Sequence, residues 1–443
     1  MIRLAILLIG TPAAKRQWPW LATLGACWMG ASAVMMADAS SSSIRVATEV
    51  IGGLLLLNGL VLLVGAWASS PGTRKPVVWR ALALIVFGLL IADLIPAQAV
   101  ADSVLFGLVF LVDGLLRLVS ATVVRFRGWR ASIVAACVEI VLAGLILTDW
   151  PLPYRDTVAW CMSLALALAG LTLIRLALYL RRLPDGASIT ELPMFQPRPW
   201  VVPASVPVTE VGSTPRAVEE GNVSLTLYVW TPEGAIEAPV HRPVVSRYIV
   251  ATDQAGVVST GHAALELSPD VYISLYPAVD LDHSAHDFTR MLRAGTHNDV
   301  PGRWNETHAI EVANWRPPDQ SVSFHRFNEH ALRRFWQAYR QDNTYNLTSR
   351  SCSTVASLAL ERAVEGSLGH RHPWRAFGLM VLDPYVWLAS MLRYRGVTMA
   401  WTPGLVLDYG RAIRHIQERE HFGGPAAFVH RWRAAWQREG RGA

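Results

Sequence analysis

The chain has 443 residues, of which 52% are hydrophobic and 17% charged, and its formal net charge at pH 7 is +6. Its long apolar runs lie before residue 183, whereas all 13 histidines lie at or beyond His241. This distribution excludes a wholly soluble protein, and it assigns acid–base chemistry to the C-terminal half. We expect no nucleic-acid partner.

The four cysteines do not form a disulfide framework. Cys27, Cys137 and Cys161 lie inside apolar runs, so Cys352 is the one cysteine of the polar half. No CxxC pair occurs, and the His370-x-His372 pair lacks two further ligands at zinc spacing. The sequence therefore predicts no metal site and no cofactor.

Six apolar segments are each long enough to cross the hydrocarbon core of a bilayer, which needs about 20 residues of helix. They predict an all-α six-helix transmembrane bundle within residues 1–183. The segment 1–10 is apolar but too short to span, and Lys15 and Arg16 follow it rather than precede it, so we expect no cleavable signal peptide. The predicted spans are 18–36, 47–67, 78–95, 100–120, 131–147 and 158–180.

Positive charge alternates between the loops that join these segments. Cytoplasmic loops are enriched in lysine and arginine, so this alternation predicts a multi-pass protein with both termini in the cytoplasm. The basic loops contain Lys15 and Arg16, then Arg74, Lys75 and Arg80, then Arg125, Arg127 and Arg130, and finally Arg181 and Arg182.

Glycines recur along the apolar helices, as in "GGLLLLNGLVLLVGAW" and "FGLVFLVDGLLRLVSA", and small residues let helices approach closely in lipid. This pattern resembles the HdeD family of bacterial inner-membrane proteins, over roughly residues 18–183. The resemblance implies a bacterial inner-membrane location and a link to stress or acid resistance.

Two acidic residues, Asp113 and Glu139, lie deep within predicted spans. A carboxylate inside a membrane suggests a proton or ion path. The alternative is structural: Asp113 pairs with Arg117 one helical turn on, and Glu139 is neutral and hydrogen-bonded. We expect the structural alternative, because no second feature of a transport path accompanies the two acids.

The composition changes abruptly after residue 183. Residues 184–221 are rich in proline and predict an extended linker, and residues 222–443 predict a soluble α+β domain. We expect strands at "NVSLTLYVW" and "RPVVSRYIVA" and a β-hairpin formed by "STGHAALEL" and "VYISLYP". Expected helices begin at Asn328, at about Cys352, and within "DPYVWLASMLRYRG" and "TPGLVLDYGRAIRHIQERE".

Cys352 is the candidate nucleophile of this domain. A thiol at the start of a helix faces the positive end of the helix dipole, which lowers its pKa. His262, in the first strand of the hairpin, is the candidate base, and we interpret Gly261 before it as space for a substrate. Ser274 on the opposite strand is the candidate third residue, within about two residues of facing His262.

The motifs "TGHAALEL…YISLYP" and "YNLTSRSCSTVASLAL" resemble the circularly permuted NlpC-type papain-like superfamily. In that group a strand histidine precedes the helix-opening cysteine along the chain. The resemblance covers about residues 222–407 and implies that Cys352 is the nucleophile and His262 the base. The next strand offers Ser274 where many relatives have histidine or asparagine.

The sequence thus predicts a membrane-anchored cysteine hydrolase, either an amidase or a peptidase, with acyltransferase as a close alternative. Its partners would be the lipid bilayer and a membrane-proximal protein or lipid-linked amide as substrate. The alternative is a non-catalytic HdeD-like stress-resistance protein with a degenerate binding domain. Oligomeric state and substrate do not follow from the sequence.

Overall fold

The computed structural model describes residues 1–40, scattered positions between 52 and 89, and 98–419 with interruptions, the longest at 196–223, 235–239 and 280–289. The predicted spans 47–67 and 78–95 lie largely outside the described residues, as does most of the predicted linker 184–221. The chain forms two compact units. One contains Met1–Arg16, Val119–Arg130 and Arg182–Glu420, and the other contains Gln17–Leu118, Ala131–Arg181 and His421–Ala443.

The N-terminal half is helical. Four of its helices, α3 to α6, contain segments that are long and apolar enough to cross a membrane: Trp18–Ala37, Ser103–Val124, Trp129–Leu147 and Ala159–Arg182. These four segments coincide with four of the predicted spans to within a few residues. The described helices are α1 (Ile2–Ile9), α2 (Thr11–Arg16), α3 (Trp18–Ser40), α4 (Gln98–Val124), α5 (Trp129–Leu147) and α6 (Tyr154–Arg182).

Glycines bring these helices into backbone contact. A Cβ atom on Gly25 of α3 would lie 2.8 Å from the Gly170 carbonyl oxygen of α6, and one on Gly170 would lie 2.7 Å from the Gly25 oxygen. The Ser32 hydroxyl also donates to the Ser163 carbonyl at 2.6 Å. Small residues and interhelical hydrogen bonds hold helices together in lipid, where apolar burial contributes little.

Arg117 on α4 contacts both of the acidic residues that lie deep within the predicted spans. It bonds to Asp113, one turn away, at 3.0 Å, as the sequence predicted. Glu139 on α5, expected to be a neutral carboxyl, also bonds to Arg117. Its Oε2 atom lies 3.0 Å from the arginine Nε, and its Oε1 atom lies 3.0 Å from the arginine Nη2. One guanidinium satisfies both carboxylates because it carries five N–H donors in a fixed plane.

The C-terminal half is an α+β region, as predicted. Its central sheet is antiparallel with strand order β5-β4-β1-β8, and two smaller sheets have the orders β2-β3 and β6-β7-β9. The strands are β1 (Leu225–Trp230), β2 (Ala251–Thr252), β3 (Val258–Ser259), β4 (His262–Leu267), β5 (Val271–Ile273), β6 (Leu275–Pro277), β7 (Val300–Trp304), β8 (Gln320–Phe324) and β9 (Thr344–Tyr345).

In the part of this half that the structure describes, seven α-helices surround these sheets. The central one, α10, packs against β4 and is almost wholly buried, and the last, α13, covers β1 and β8. Side chains alternate along β1, and the buried ones, Leu225, Leu227 and Val229, face these helices. The helices are α7 (Val245–Tyr248), α8 (His308–Asn314), α9 (Glu329–Tyr339), α10 (Cys352–Val364), α11 (Pro373–Val381), α12 (Pro384–Thr398) and α13 (Pro403–Arg419).

One predicted strand is wrong. Within "RPVVSRYIVA", residues Val245–Tyr248 form the short helix α7, and only the last residue of the motif enters β2. Asp408 on α13 explains the difference, because it bonds to Arg247 Nη2 at 2.6 Å and accepts from the Tyr248 hydroxyl at 2.8 Å. Two adjacent side chains reach one carboxylate more readily from a helical turn than from an extended strand, where they point to opposite faces.

The short apolar segment at the N-terminus is part of the core of the C-terminal region. Helix α1 packs against α10, α11 and α12, and its residues from Leu4 to Ile9 are at most 3% exposed. The N-terminal segment also contacts the end of α10. There the buried Glu365 accepts hydrogen bonds from the hydroxyls of Thr11 and Ser188. The helix that begins at Cys352 therefore ends on the chain segments that precede the first predicted span and follow the last.

We expect Ile6→Ala to destabilise the C-terminal region by about 2–5 kcal/mol, because it leaves a cavity at a fully buried position. Ile310→Ala, the same truncation at a side chain that is 43% exposed, is the matched control. Thermal unfolding of the purified protein in detergent measures the difference. Equal melting temperatures for the two variants would contradict the core position of α1.

Candidate active site

The hairpin of β4 and β5 positions the candidate histidine. Leu265 pairs with Ile273, so His262 and Ser274 lie diagonally across the two strands. The His262 Nε2 atom lies 2.9 Å from Ser274 Oγ, and both side chains are buried. The predicted proximity of these two residues is therefore present in the structure.

Gly261 has a different role from the one expected. Its φ is +68°, a conformation that residues with a Cβ atom rarely adopt. A Cβ atom there would lie 2.5 Å from the Trp230 carbonyl oxygen and 2.8 Å from the Pro232 nitrogen. Glycine is required because the backbone turns tightly against the end of β1, so its presence does not indicate substrate space.

Cys352 is the first residue of α10. Ser351 is the N-cap, and its hydroxyl accepts a hydrogen bond from the Thr354 N–H. The Cys352 thiol is 7% exposed, and it lies near enough to the His262 side chain for each group to shift the pKa of the other. The structure thus brings all three predicted site residues, Cys352, His262 and Ser274, into one buried cluster.

The loop that precedes Cys352 is held by buried polar contacts. Arg350, which is 1% exposed, bonds to Asp342 and lies over the Tyr339 ring with its Cζ atom 4.5 Å from the ring centroid. Asn346 and Arg350 exchange backbone hydrogen bonds of 3.2 and 2.9 Å, and the Asn346 amide donates to Asp299 at 2.7 Å. These contacts fix the start of α10 and hence the position of the sulfur.

Glu311 on α8 completes the cluster, and sequence reasoning missed it. Its Oε1 atom lies 3.2 Å from His262 Nε2, and its Oε2 accepts from the Ser274 hydroxyl at 2.9 Å. The hydroxyls of Tyr272 and Tyr276 also donate to this carboxylate. No local signal in the sequence marks it, because its apolar neighbours Ile310 and Val312 lie on other faces of the helix and Ile310 is 43% exposed.

This network determines which nitrogen of His262 carries hydrogen. Ser274 gives its hydrogen to Glu311, so its oxygen can only accept from Nε2, and the carboxylate likewise accepts. Nε2 therefore carries hydrogen in both the neutral and the charged ring, and the charged ring carries a second hydrogen on Nδ1. Nδ1 is left for the sulfur of Cys352, which is the arrangement that a base acting on the thiol requires.

Aromatic rings enclose the imidazole. The Tyr276 ring stacks on it with centroids 4.1 Å apart, and the Trp230 ring lies at 5.4 Å. Trp315, which is 41% exposed, reaches the edge of the cluster at 6.3 Å from His262. These rings exclude water from the imidazole, and electrostatic interactions are stronger in such surroundings.

The charges of the cluster reinforce one another. Burial disfavours a charged His262, yet the Cys352 thiolate and the Glu311 carboxylate raise its pKa to about 9. Burial likewise opposes the thiolate, but the His262 charge and hydrogen bond, together with the Ala263 N–H, lower the pKa of Cys352. Burial would raise the pKa of Glu311, but its bonds to His262 and the two tyrosines lower it to about 2. The three shifts favour a thiolate–imidazolium pair beside an ionised carboxylate.

Among the described residues, no group of three or more histidine, cysteine or acidic side chains is placed to hold a metal ion. Comparisons of this chain with protein-family models, with curated proteins and with solved structures find no match.

Proposed function

We propose that this protein is a membrane-anchored cysteine hydrolase of the permuted papain-like type, acting as an amidase or peptidase. The observation that carries the proposal is the buried cluster in which Cys352 is electrostatically coupled to His262, whose ring in turn contacts Ser274 and Glu311. A nucleophile bonded to a base, which is itself oriented by a third group, is the arrangement that nucleophilic catalysis requires.

In the proposed reaction, the Cys352 thiolate attacks the carbonyl carbon of an amide. The backbone N–H groups of Cys352 and Ser353, which precede the capped Thr354 at the start of α10, would bind the oxyanion. As the C–N bond breaks, His262 gives its Nδ1 proton to the leaving amine, and a thioester forms on Cys352. Water then attacks the thioester while Nδ1 takes its proton, so the acid is released and the thiolate is restored.

Glu311 and Ser274 would act through His262. Both accept a hydrogen bond from the Nε2–H group of His262, and they thereby orient Nδ1 toward the sulfur. The Glu311 carboxylate also stabilises the imidazolium that protonation produces. We therefore assign Glu311 as the main positioning residue, with Ser274 bridging it to the histidine.

The order of the elements supports the papain-like assignment. The histidine lies in a strand of an antiparallel sheet, and the cysteine opens a helix later in the chain that packs against that strand. This is the order that the resemblance to the permuted superfamily implies.

The membrane topology that we propose has six spans and both termini in the cytoplasm. Met1–Arg16, Val119–Arg130 and Arg182–Glu420 belong to one compact unit, so each of the two stretches of chain between them leaves this unit and returns to it. A chain that returns to the same side must cross the bilayer an even number of times. Four candidate spans and the predicted segments 47–67 and 78–95 give six. The HdeD-like pattern supports a bacterial inner membrane and a role in stress or acid resistance.

The pH dependence of thiol alkylation tests this proposal. In a variant whose Cys27, Cys137 and Cys161 are alanine, the rate of Cys352 reaction with iodoacetamide should rise with pH through its lowered pKa. It should then stay level until His262 loses its proton near pH 9, because the thiolate exists as an ion pair between the two pKa values.

A single rise near pH 8.5 or above, as for an ordinary thiol, would contradict the proposal. That result would favour the alternative of a non-catalytic stress-resistance protein with a degenerate domain. Reaction after unfolding in denaturant gives the profile of the unperturbed thiol for comparison.

A further inference from the structure

Helix α12 is apolar on two faces. Its inner face includes Val386, Ala389 and Leu392 and is buried in the core. The opposite face is exposed and includes a stripe of large side chains, the α12 stripe, at helical spacing. The α12 stripe consists of Trp387, Leu388, Met391 and Tyr394, which are 50%, 44%, 61% and 52% exposed.

An exposed stripe of this size and composition indicates a partner, because soluble surfaces rarely leave contiguous large apolar side chains in water. Two exposed basic residues flank it, Arg395 on α12 and Arg3 on α1. Tryptophan and tyrosine beside arginine is the composition of helices that lie in the interface of an anionic bilayer. The same residue types are enriched in protein–protein interfaces, so the connections of the chain are needed to choose between the two partners.

The connections of the chain indicate which partner is within reach. Helix α1 packs against α12, and α1 is followed by α2 and, after Gln17, by the first apolar helix. On the other side, the segment after α6 also reaches α12, where Arg393 donates to the Phe195 carbonyl at 3.1 Å. Both segments that connect this domain to the candidate spans therefore contact α12.

We propose that the α12 stripe lies on an anionic phospholipid surface. Trp387 and Tyr394 would sit at the level of the headgroups, Leu388 and Met391 would enter the upper acyl region, and Arg3 and Arg395 would contact phosphates. This docking restricts the orientation of the domain that contains Cys352 and His262. It does not depend on whether those residues are catalytic.

The test places an environment-sensitive fluorophore at Met391→Cys in the full chain, with all four native cysteines replaced by alanine, in nanodiscs containing phosphatidylglycerol. The matched control is Gln337→Cys, an exposed polar position on α9. At position 391 we expect the emission to be shifted to shorter wavelength and to be quenched by doxyl-labelled lipids. At position 337 we expect neither effect. Arg395→Glu should reduce the quenching at position 391, and replacing the anionic lipid by phosphatidylcholine should reduce it as well.

Equal emission and equal lipid quenching at the two positions would overturn the proposal. Efficient crosslinking between Met391→Cys residues of two chains, without lipid quenching, would also overturn it and would assign the α12 stripe to a second copy of the protein. Circular dichroism of each labelled variant establishes that the comparison is made between folded proteins.

Discussion

Replacing His262 by alanine is expected to slow the alkylation of Cys352 at pH 6 by roughly 10²-fold or more, because the thiolate loses its counter-ion and the thiol pKa returns to about 8.5 or higher. Burial alone raises a thiol pKa, so the buried sulfur of this variant should be less reactive than a free cysteine. Hydrolytic activity should fall at least as far, since the base and the proton donor are the same residue.

The matched control is His330→Ala, which removes an exposed histidine on α9. Its alkylation rate should equal that of the parent protein in the background that lacks the other three cysteines. If His262→Ala and His330→Ala react alike while both remain folded, His262 does not activate the thiol.

Replacing Glu311 by glutamine is expected to narrow the pH range over which the alkylation rate of Cys352 stays level. The amide keeps nearly the same shape but loses the charge that stabilises the imidazolium, so the His262 pKa should fall by about 1–3 units. The lower limb of the alkylation profile should move to higher pH, because a less stable imidazolium stabilises the thiolate less. The upper limb, at which the level range ends, should move to lower pH because His262 loses its proton sooner.

Glu306→Gln provides the control, since Glu306 is an exposed acid of the same segment. A purely structural role of Glu311 would lower thermal stability without moving either limb of the profile. Glu311→Asp retains the charge, and it should restore part of the profile even if the shorter side chain loses contact with Tyr276. Unchanged limbs in a folded Glu311→Gln protein would exclude the positioning role.

Much of the membrane half could be predicted from hydropathy alone, because a lipid environment selects long uninterrupted apolar helices. Four described helices occupy predicted spans. The contact between Arg117 and Glu139 was not predictable, since the two residues lie on different helices and nothing local indicates that one arginine serves two acids.

The N-terminal segment shows a second limit of sequence reasoning. Residues 1–10 are apolar and short, a pattern shared by signal peptides and buried helices. Their burial against α10, α11 and α12 depends on residues more than 300 positions later in the chain. Periodicity within the segment does not reveal that partner.

Part of the candidate site could be predicted from the sequence. The cysteine at a helix start and the histidine in a hairpin strand carry local signals, and the hairpin register brought Ser274 within reach. Glu311 comes from a seven-residue helix after β7, and its contact with His262 arises only when that helix packs against the hairpin. Strand propensity also failed at Val245–Tyr248, where tertiary bonds to Asp408 outweigh the preference of valine and tyrosine for strands.

The most direct test of the central claim is to trap an acyl group on Cys352. Purified full-length protein, in which the other three cysteines are alanine, would be mixed with p-nitrophenyl acetate near pH 7 and examined by intact and peptide mass spectrometry. We predict a single acetyl group on the peptide containing Cys352, removable by neutral hydroxylamine and absent in Cys352→Ser under the same conditions. An unmodified Cys352, or a cysteine that is acetylated equally fast in the folded His262→Ala protein, would contradict the claim that this cluster is a thiol active site.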